Sequence, residues 1–428
     1  MKSIINKIVL FFVLLDNIFL PIDIGVDFRL NYLVMIIYII YYACTHKSIN
    51  LNKKKTLLFI SGLISFLTIT ILTAESYLLV IKQLVLISIT LTFSYLLLNS
   101  YKFDYIKIFK DYILFITLAG IIVVIQFVGT KTNLTFLVDY SYLGLDTGGI
   151  RLNAPRGRFH SWFYEPSFMA YAFMPVIFIA VARLLGIGNL LSLRRSIFLI
   201  IILFMAKSTL GLLGLLLSML ILILSKYPIY KKPIFLACLI IGLFVSSYLI
   251  YKIPAVKFRI DETYTLFTAK KVTSEEIAKT NLSTYALYSN FKITQASLKK
   301  APLFGTGVGT YELNYDKHLN NVIPTSNWRN NFKINRQDAN SLLFRILVET
   351  GVIGTVLLVL FILKNRIHYC QLNNVKQQNL WMINNGILVL LTLRFLRQGH
   401  YTMLGFILMI LVYYMTNQKS KENSSNLI

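Results

Sequence analysis

Long apolar blocks set the terms for this chain. Stretches such as YLLVIKQLVLISITLTFSYLLL (77–98) and NSLLFRILVETGVIGTVLLVLFIL (340–363) recur from one end to the other. About 20 such residues in helical form cross a bilayer core of roughly 30 Å. Hydrophobic residues make up 56% of the 428 and charged residues 14%, whereas a water-soluble domain carries about 25% charge. The expected fold class is an all-α polytopic membrane protein. Spans are expected at 4–22, 30–44, 56–73, 77–98, 111–128, 162–183, 196–206, 208–225, 233–251, 340–363, 380–396 and 401–416, about twelve transmembrane helices. The N-terminal MKSIINKIVLFFVLL has the charge and hydropathy of a signal peptide but no small-residue cleavage site, and reads as a retained first span.

Position explains the net charge of +25 better than a nucleic-acid partner does. Lys47 with Lys53–Lys55, Lys102/Lys107/Lys110, Arg183/Arg194/Arg195, Lys226/Lys231/Lys232 and Lys364/Arg366/Lys376 all fall on one side of the span pattern, together with both termini. Basic loops face the cytoplasm, so both termini are expected there, in a multi-pass membrane protein. The long segment Ser196–Leu224 is divided by Lys207-Ser208-Thr209 into two helices meeting at the outer face, because a single span would put basic loops on both sides. Three organisational units follow. Residues 1–251 hold nine helices with an outer loop at 129–161. Residues 252–339 form a large outer loop, and 340–428 hold the last three helices and a cytoplasmic tail. None of Cys44, Cys238 and Cys370 has a partner in an external loop, so no disulfide framework is indicated.

The outer loops carry the chemistry. Arg151, Arg156, Arg158 and His160 lie just ahead of Glu165-Pro166, where proline suits the first turn of a helix and the carboxylate meets the positive end of its dipole. Arginine offers a planar fork of donors suited to phosphate; the competing reading is a solvated loop and a helix cap. Lys82 lies inside a span near its outer end, and Lys207 lies at the outer meeting of two helices. A charge in a span normally faces a cavity or a partner, although Lys82 can also snorkel to the headgroups. Arg345 and Glu349 are four apart and pair along one helix face in a mainly structural role. Arg394 and Arg397 read as snorkelling side chains. Gly305-Thr306-Gly307-Val308-Gly309 lacks the G-x-G-x-x-G spacing and its βαβ setting, and reads as a tight turn. The histidines are scattered (His46, His160, His318, His368, His400) and no carboxylates cluster with ligand spacing, so neither a metal site nor a cofactor is expected. These cations outline a site at the outer membrane–water boundary for an anionic lipid headgroup such as phosphate.

Three motifs in this order, RGRFHSWFYEPSFMAYAF (156–173), ASLKKAPLFGTGVGTYE (296–312) and NSLLFRILVETGVIG (340–354), together resemble the O-antigen polymerase (Wzy) and O-antigen ligase-like superfamily. The resemblance implies a GT-C-like, metal-independent glycosyltransferase with a large periplasmic loop before its tenth helix. Its donor is a glycan on undecaprenyl diphosphate, and no cofactor is needed. Lipopolysaccharide repeat units would be joined at the periplasmic face, in company with membrane lipids, a flippase and a chain-length regulator. Arg158 resembles the family's loop arginine, Lys207 stands where the family often has arginine, and Lys82 matches a basic position in an early span. Lys292 stands in for a missing arginine in the helix before the glycine turn. Ligases carry His-Asn where this chain has Asn340-Ser341, which favours polymerase. The diphosphate would then be bound by Lys82, Arg151, Arg156, Lys207, Lys292 and Asn340, with Arg158 at the reacting centre. Glu165, Asp338 and His160 are the candidate bases. The alternatives are a capsule or exopolysaccharide polymerase, an O-antigen ligase, or a lipid-linked oligosaccharide flippase. A flippase would be expected to show internal repeats, and none is evident.

Overall fold

The computed structural model describes residues 2–23, 27–45, 68–146, 150–226, 254–269, 272–324, 328–369 and 374–425, with Phe66 and isolated positions between 234 and 252. The expected spans at 56–73 and 233–251 fall largely outside these residues. The described chain is helical apart from a two-stranded ribbon. In order, its elements are α1 (Lys2–Leu14), β1 (Phe19–Asp23), β2 (Asp27–Arg29), α2 (Leu30–Thr45), α3 (Tyr77–Ser100), α4 (Tyr105–Lys131) and α5 (Pro166–Leu184). Then come α6 (Leu193–Met205), α7 (Thr209–Lys226), α8 (Pro254–Thr268), α9 (Ser274–Lys279), α10 (Leu282–Lys300), α11 (Tyr311–Val322), α12 (Leu342–Lys364), α13 (Val375–Leu396) and α14 (Phe406–Ser425).

Six of these helices, α3, α4, α5, α7, α12 and α13, are long and apolar enough to cross a membrane. Polar residues mark where they begin. The side chains of Asp104, Ser341 and Asn374 accept from backbone N–H groups in the first turns of α4, α12 and α13, satisfying donors that a helix start leaves open. Burial separates a centre from a periphery. In α5 and α13, 78% of the spanning window is buried, against 22–39% in the other four. The central pair packs Phe178 against Trp381 at 5.5 Å, and Tyr112 of α4 donates to the Ala172 carbonyl at 2.6 Å. Apolar all-round helices belong in such a centre, and one-sided contact leaves the others open to lipid.

Two local departures from the hydropathy pattern matter for the site. The first helix stops at Leu14 rather than running to residue 22. Asp16 and Asn17 follow it, and both are buried and tied to distant parts of the chain: Asp16 Oδ2 accepts from Leu404 N at 3.1 Å, and Asn17 donates to the Asp146 and Trp162 carbonyls. The apolar residues beyond enter the β1–β2 ribbon, which delivers Arg29. The second departure is in α12, whose backbone breaks at Gly351 (φ +67°, ψ −167°). The division of 196–224 into two helices holds, with Lys207 at φ +44° between α6 and α7.

The break in α12 is filled by the glycine turn. Thr306 and Gly307 donate to the Val348 and Glu349 carbonyls, each at 2.9 Å, while Val352 and Ile353 donate to Pro302 and Leu303 at 2.9 and 3.2 Å. The broken helix therefore recovers its hydrogen bonds from the turn, as buried backbone must. The contact leaves no room for side chains. A Cβ on Gly305 would lie 2.5 Å from backbone atoms of Glu349 and Thr350, and one on Gly351 would lie 2.3 Å from the Leu303 carbonyl oxygen. Both residues have left-handed backbone, which costs other residues about 1–2 kcal/mol before any clash. Gly305→Ala and Gly351→Ala should therefore lower the melting temperature and membrane level sharply. Gly186→Ala is the control, because it shares the left-handed backbone (φ +76°) but meets nothing within 4 Å. Equal losses at all three positions would show that the close packing of the turn is not what matters.

Candidate functional site

The same turn packs on α3. Glu75 N donates to the Thr306 carbonyl at 2.9 Å, and a Cβ on Gly309 would lie 2.7 Å from Gln83 Cβ. The turn thus sets the outer end of α3 against the first turns of α12, and a cleft opens between them. Three cations line it: Arg29 from the end of β2, Lys82 from α3 and Arg345 from α12. Glu312, His400 and Tyr401 line it as well.

Arg345 is buried and held by three hydrogen bonds. Its Nε donates to Glu349 Oε1 at 2.9 Å, Nη1 to the Gly399 carbonyl at 3.1 Å and Nη2 to Gln83 Oε1 at 3.1 Å. Its guanidinium also lies 4.2 Å from the centre of the Tyr401 ring, and Tyr401 Oη donates to Glu349 Oε2 at 2.7 Å. The expected Arg345–Glu349 pair is present, and its setting beside the cleft exceeds the structural role read from spacing. Arg29 donates to the Asp16 carbonyl at 2.9 Å, and Tyr32 is bonded to Thr402 Oγ1 at 2.8 Å, so the ribbon and α2 are tied to the α13–α14 connection. At the mouth, Arg336 bridges Glu312 and Asp316 at 3.2 and 2.6 Å, and Lys317 pairs with Glu75 at 3.1 Å.

The segment before α12 is stitched to the end of α13. Asn340 Oδ1 accepts from Arg397 Nη1 at 3.0 Å, its carbonyl accepts from Gln398 N at 3.0 Å, and Ser341 Oγ donates to the Phe395 carbonyl at 2.5 Å. This brings Asp338 to His400, with Oδ2 and Nε2 3.7 Å apart. Asp338 is buried and does not line the cleft; burial raises its carboxyl above the ordinary aspartate range, against the hydrogen bond from Asn335. Arg394 does not snorkel. It is fully buried, donates to the His400 and Met403 carbonyls at 2.8 Å each, and lies 4.4 Å from the centre of the Phe406 ring. A planar fork bonded to two carbonyls fixes the turn that carries His400.

The other candidates from the sequence lie outside the cleft lining. Lys207 and Arg156 are exposed and meet through Lys207 Nζ and the Arg156 carbonyl at 3.1 Å, while Arg158 donates to Asn153 Oδ1 at 3.3 Å. This second cationic group lies where the loop before α5 meets the junction of α6 and α7. Glu165 caps the start of α5 and accepts from Ser167 Oγ. His160 is fully buried with Nδ1 at 2.7 Å from the Phe163 carbonyl, and desolvation pushes it down to about 4. Lys292 sits on α10 with Nζ 5.5 Å from the Tyr288 ring centre. Arg151 belongs to a short helical turn, Ile150–Asn153, and its side chain is not among those described. Among the described residues, no group of three or more His, Cys, Asp or Glu is placed to hold a metal ion.

The ion pair at the cleft wall gives a direct test of this arrangement. Glu349→Gln leaves a buried arginine without its carboxylate, and such a loss costs about 3–5 kcal/mol. Tyr401→Phe removes one hydrogen bond, worth about 1 kcal/mol. Thermal unfolding in detergent should rank wild type above Tyr401→Phe and Tyr401→Phe well above Glu349→Gln. A Glu349→Gln protein as stable as wild type would contradict the bonded geometry.

Comparison with known proteins bears on the same region. No curated protein matches the chain. Residues 196–359 match the Wzy_C family, described as O-antigen ligase, and the matched stretch runs from α6 through the glycine turn and across the break in α12. It includes Lys207, Lys292, Glu312, Asp338, Asn340, Arg345 and Glu349, while Arg29, Lys82 and His400 come from outside it. Over these residues the chain is similar to the O-antigen ligase family, in line with the resemblance of its motifs to the Wzy and O-antigen ligase-like superfamily.

Proposed function

We propose that the protein is an O-antigen polymerase that joins oligosaccharide repeat units carried on undecaprenyl diphosphate at the periplasmic face of the inner membrane. The observation that carries this reading is the convergence of Lys82, Arg29 and Arg345 in one cleft, walled by the family-matched turn and α12. Fixed cations at that place stabilise the charge that develops on a departing diphosphate, and the activated donor supplies the driving force, so no ATP site is needed; the family resemblance makes this a metal-independent, GT-C-like glycosyltransferase. A polymerase handles two lipid diphosphates at once, and the group of Arg156, Arg158 and Lys207 would meet the second. Glu165, seven residues after Arg158 in sequence, would orient an arginine.

Orientation is supported by the opposite end of the bundle. Lys226 bonds the Leu185 carbonyl at 3.1 Å and Arg366 bonds Asn385 and Ser225, each at 3.2 Å, gathering basic loops there. With that end cytoplasmic, the cleft opens to the periplasm. Single cysteines at Thr132 and Asn320, in a background without native cysteines, should react with an impermeant reagent added to intact cells, and one at Asn374 should not. The reverse pattern would put the cleft in the cytoplasm.

The ligase reading is favoured by the family's description; Asn340, standing where ligases carry histidine, favours polymerase. In a strain lacking this gene, a polymerase defect leaves lipopolysaccharide with a single repeat unit on its core, because a separate ligase still acts. A ligase defect leaves no repeat on the core. Loss of capsule or exopolysaccharide with normal lipopolysaccharide would assign the same chemistry to that pathway. Re-expressed Lys82→Ala protein should give shortened glycan ladders, since a charge-assisted contact of about 1.5–3 kcal/mol slows turnover by roughly one to two orders of magnitude. Full-length ladders at normal membrane level would remove Lys82 from the site.

A further inference from the structure

The cleft contains one side chain whose chemistry the binding of a diphosphate leaves unused. His400 lies on its wall, with 24% of the side chain exposed, and comes from the α13–α14 connection, 59 residues beyond the motif at 338–341. Its backbone is held from both sides, the carbonyl by Arg394 Nη1 at 2.8 Å and the N–H by Gln398 Oε1 at 3.2 Å. Its Nε2 lies 3.7 Å from Oδ2 of the buried Asp338. A carboxylate close to an imidazole, with the imidazole on a ligand cleft, suits proton transfer.

From the juxtaposition of His400 and Asp338 at the wall of the Arg29–Lys82–Arg345 cleft, we infer that His400 is the general base that takes the proton of the acceptor sugar's hydroxyl, with Asp338 as its positioning residue. This rests on the cleft being the glycosyl-transfer site. The acceptor oxygen bonds to the anomeric carbon as the bond from that carbon to the diphosphate oxygen breaks. The hydroxyl proton passes to the His400 imidazole, the electron pair leaves with the diphosphate, and the imidazolium later returns its proton to water. Burial, with Arg29, Arg345 and Arg394 in electrostatic reach, pushes the imidazole well below its ordinary range. Across the cleft stand Lys82 and Glu312, and Tyr401 is its chain neighbour. The ring is therefore neutral at pH 7 and ready to accept. The imidazole thus arrives from another part of the chain, beside a motif where this sequence has Asn340.

The test uses the full chain in liposomes, with the host strain's own undecaprenyl-diphosphate-linked repeat unit as donor and acceptor. His400→Gln should lower kcat by about 100-fold or more, in line with general-base catalysis, and leave KM within about twofold of wild type. Imidazole in the buffer should restore part of the activity of His400→Ala, which a misfolded protein would not show. Asp338→Asn should lower kcat without raising KM. The wild-type rate should hold from neutral pH to below 6.5, the ordinary histidine value, and fall as the ring protonates; this fall should be absent in His400→Gln. Wild-type kcat in His400→Gln, or a loss that appears in KM alone, would overturn the inference. Lys82→Ala in the same assay separates the two levels. If it is impaired while His400→Gln is normal, only the base is wrong; if both are normal, the cleft is not the transfer site.

Discussion

The site depends on a helix that does not close on itself. α12 breaks at Gly351, and the backbone groups released there are taken up by the turn at 302–309. In hydrocarbon each unmet group costs several kcal/mol, so the turn and the break require each other. This exchange fixes the first turns of α12, with Arg345 and Glu349, against the outer end of α3, with Lys82 and Gln83. Irregular backbone at membrane depth is tolerated where protein buries it or where it lines a cavity; here it does both. The glycines serve the contact by letting two backbones approach to distances a Cβ would forbid.

Two buried arginines then define the cleft in different ways. Arg345 is neutralised by Glu349 and held by Gln83, Gly399 and Tyr401, so its position is set before any ligand arrives. Arg394 sends its donors to carbonyls and braces the turn carrying His400 and Tyr401. Charges held rigidly in a poorly solvated place need little reorganisation when a reaction moves charge, which is the main electrostatic advantage of an enzyme site over water. The ion pairs at the mouth, Lys317–Glu75 and Arg336 with Glu312 and Asp316, are more exposed, and such pairs contribute little to stability.

Much of this was readable in the residues. Hydropathy located the helices because a span must be apolar for its whole length, and the positive φ at Gly305, Gly307 and Gly309 matches the turn expected from their spacing. Arg345–Glu349 followed from the four-residue repeat of a helix, and Lys82 stood out as a charge inside a span. The failures share one cause, long-range contact. Arg29 and His400 look like ordinary loop residues until Tyr32 and Thr402, 370 positions apart, are hydrogen-bonded. Arg394 has the sequence signature of a snorkelling side chain, and only the packing of Phe406 and Tyr171 around it reveals a brace. The end of α1 was missed because hydropathy continues past Asp16 and Asn17, whose partners lie at Leu404, Asp146 and Trp162.

The central claim is that the Arg29–Lys82–Arg345 cleft holds a lipid diphosphate. It is tested most directly by measuring the affinity of the detergent-solubilised protein for undecaprenyl diphosphate itself, without any transfer reaction. Lys82→Ala should weaken binding by about 10–100-fold, the equivalent of one charge-assisted contact. Inorganic pyrophosphate should compete, and Lys207→Ala should leave the tight component in place. Unchanged affinity in Lys82→Ala, with loss of binding in Lys207→Ala, would contradict the account and move the diphosphate to the loop around Arg156 and Arg158.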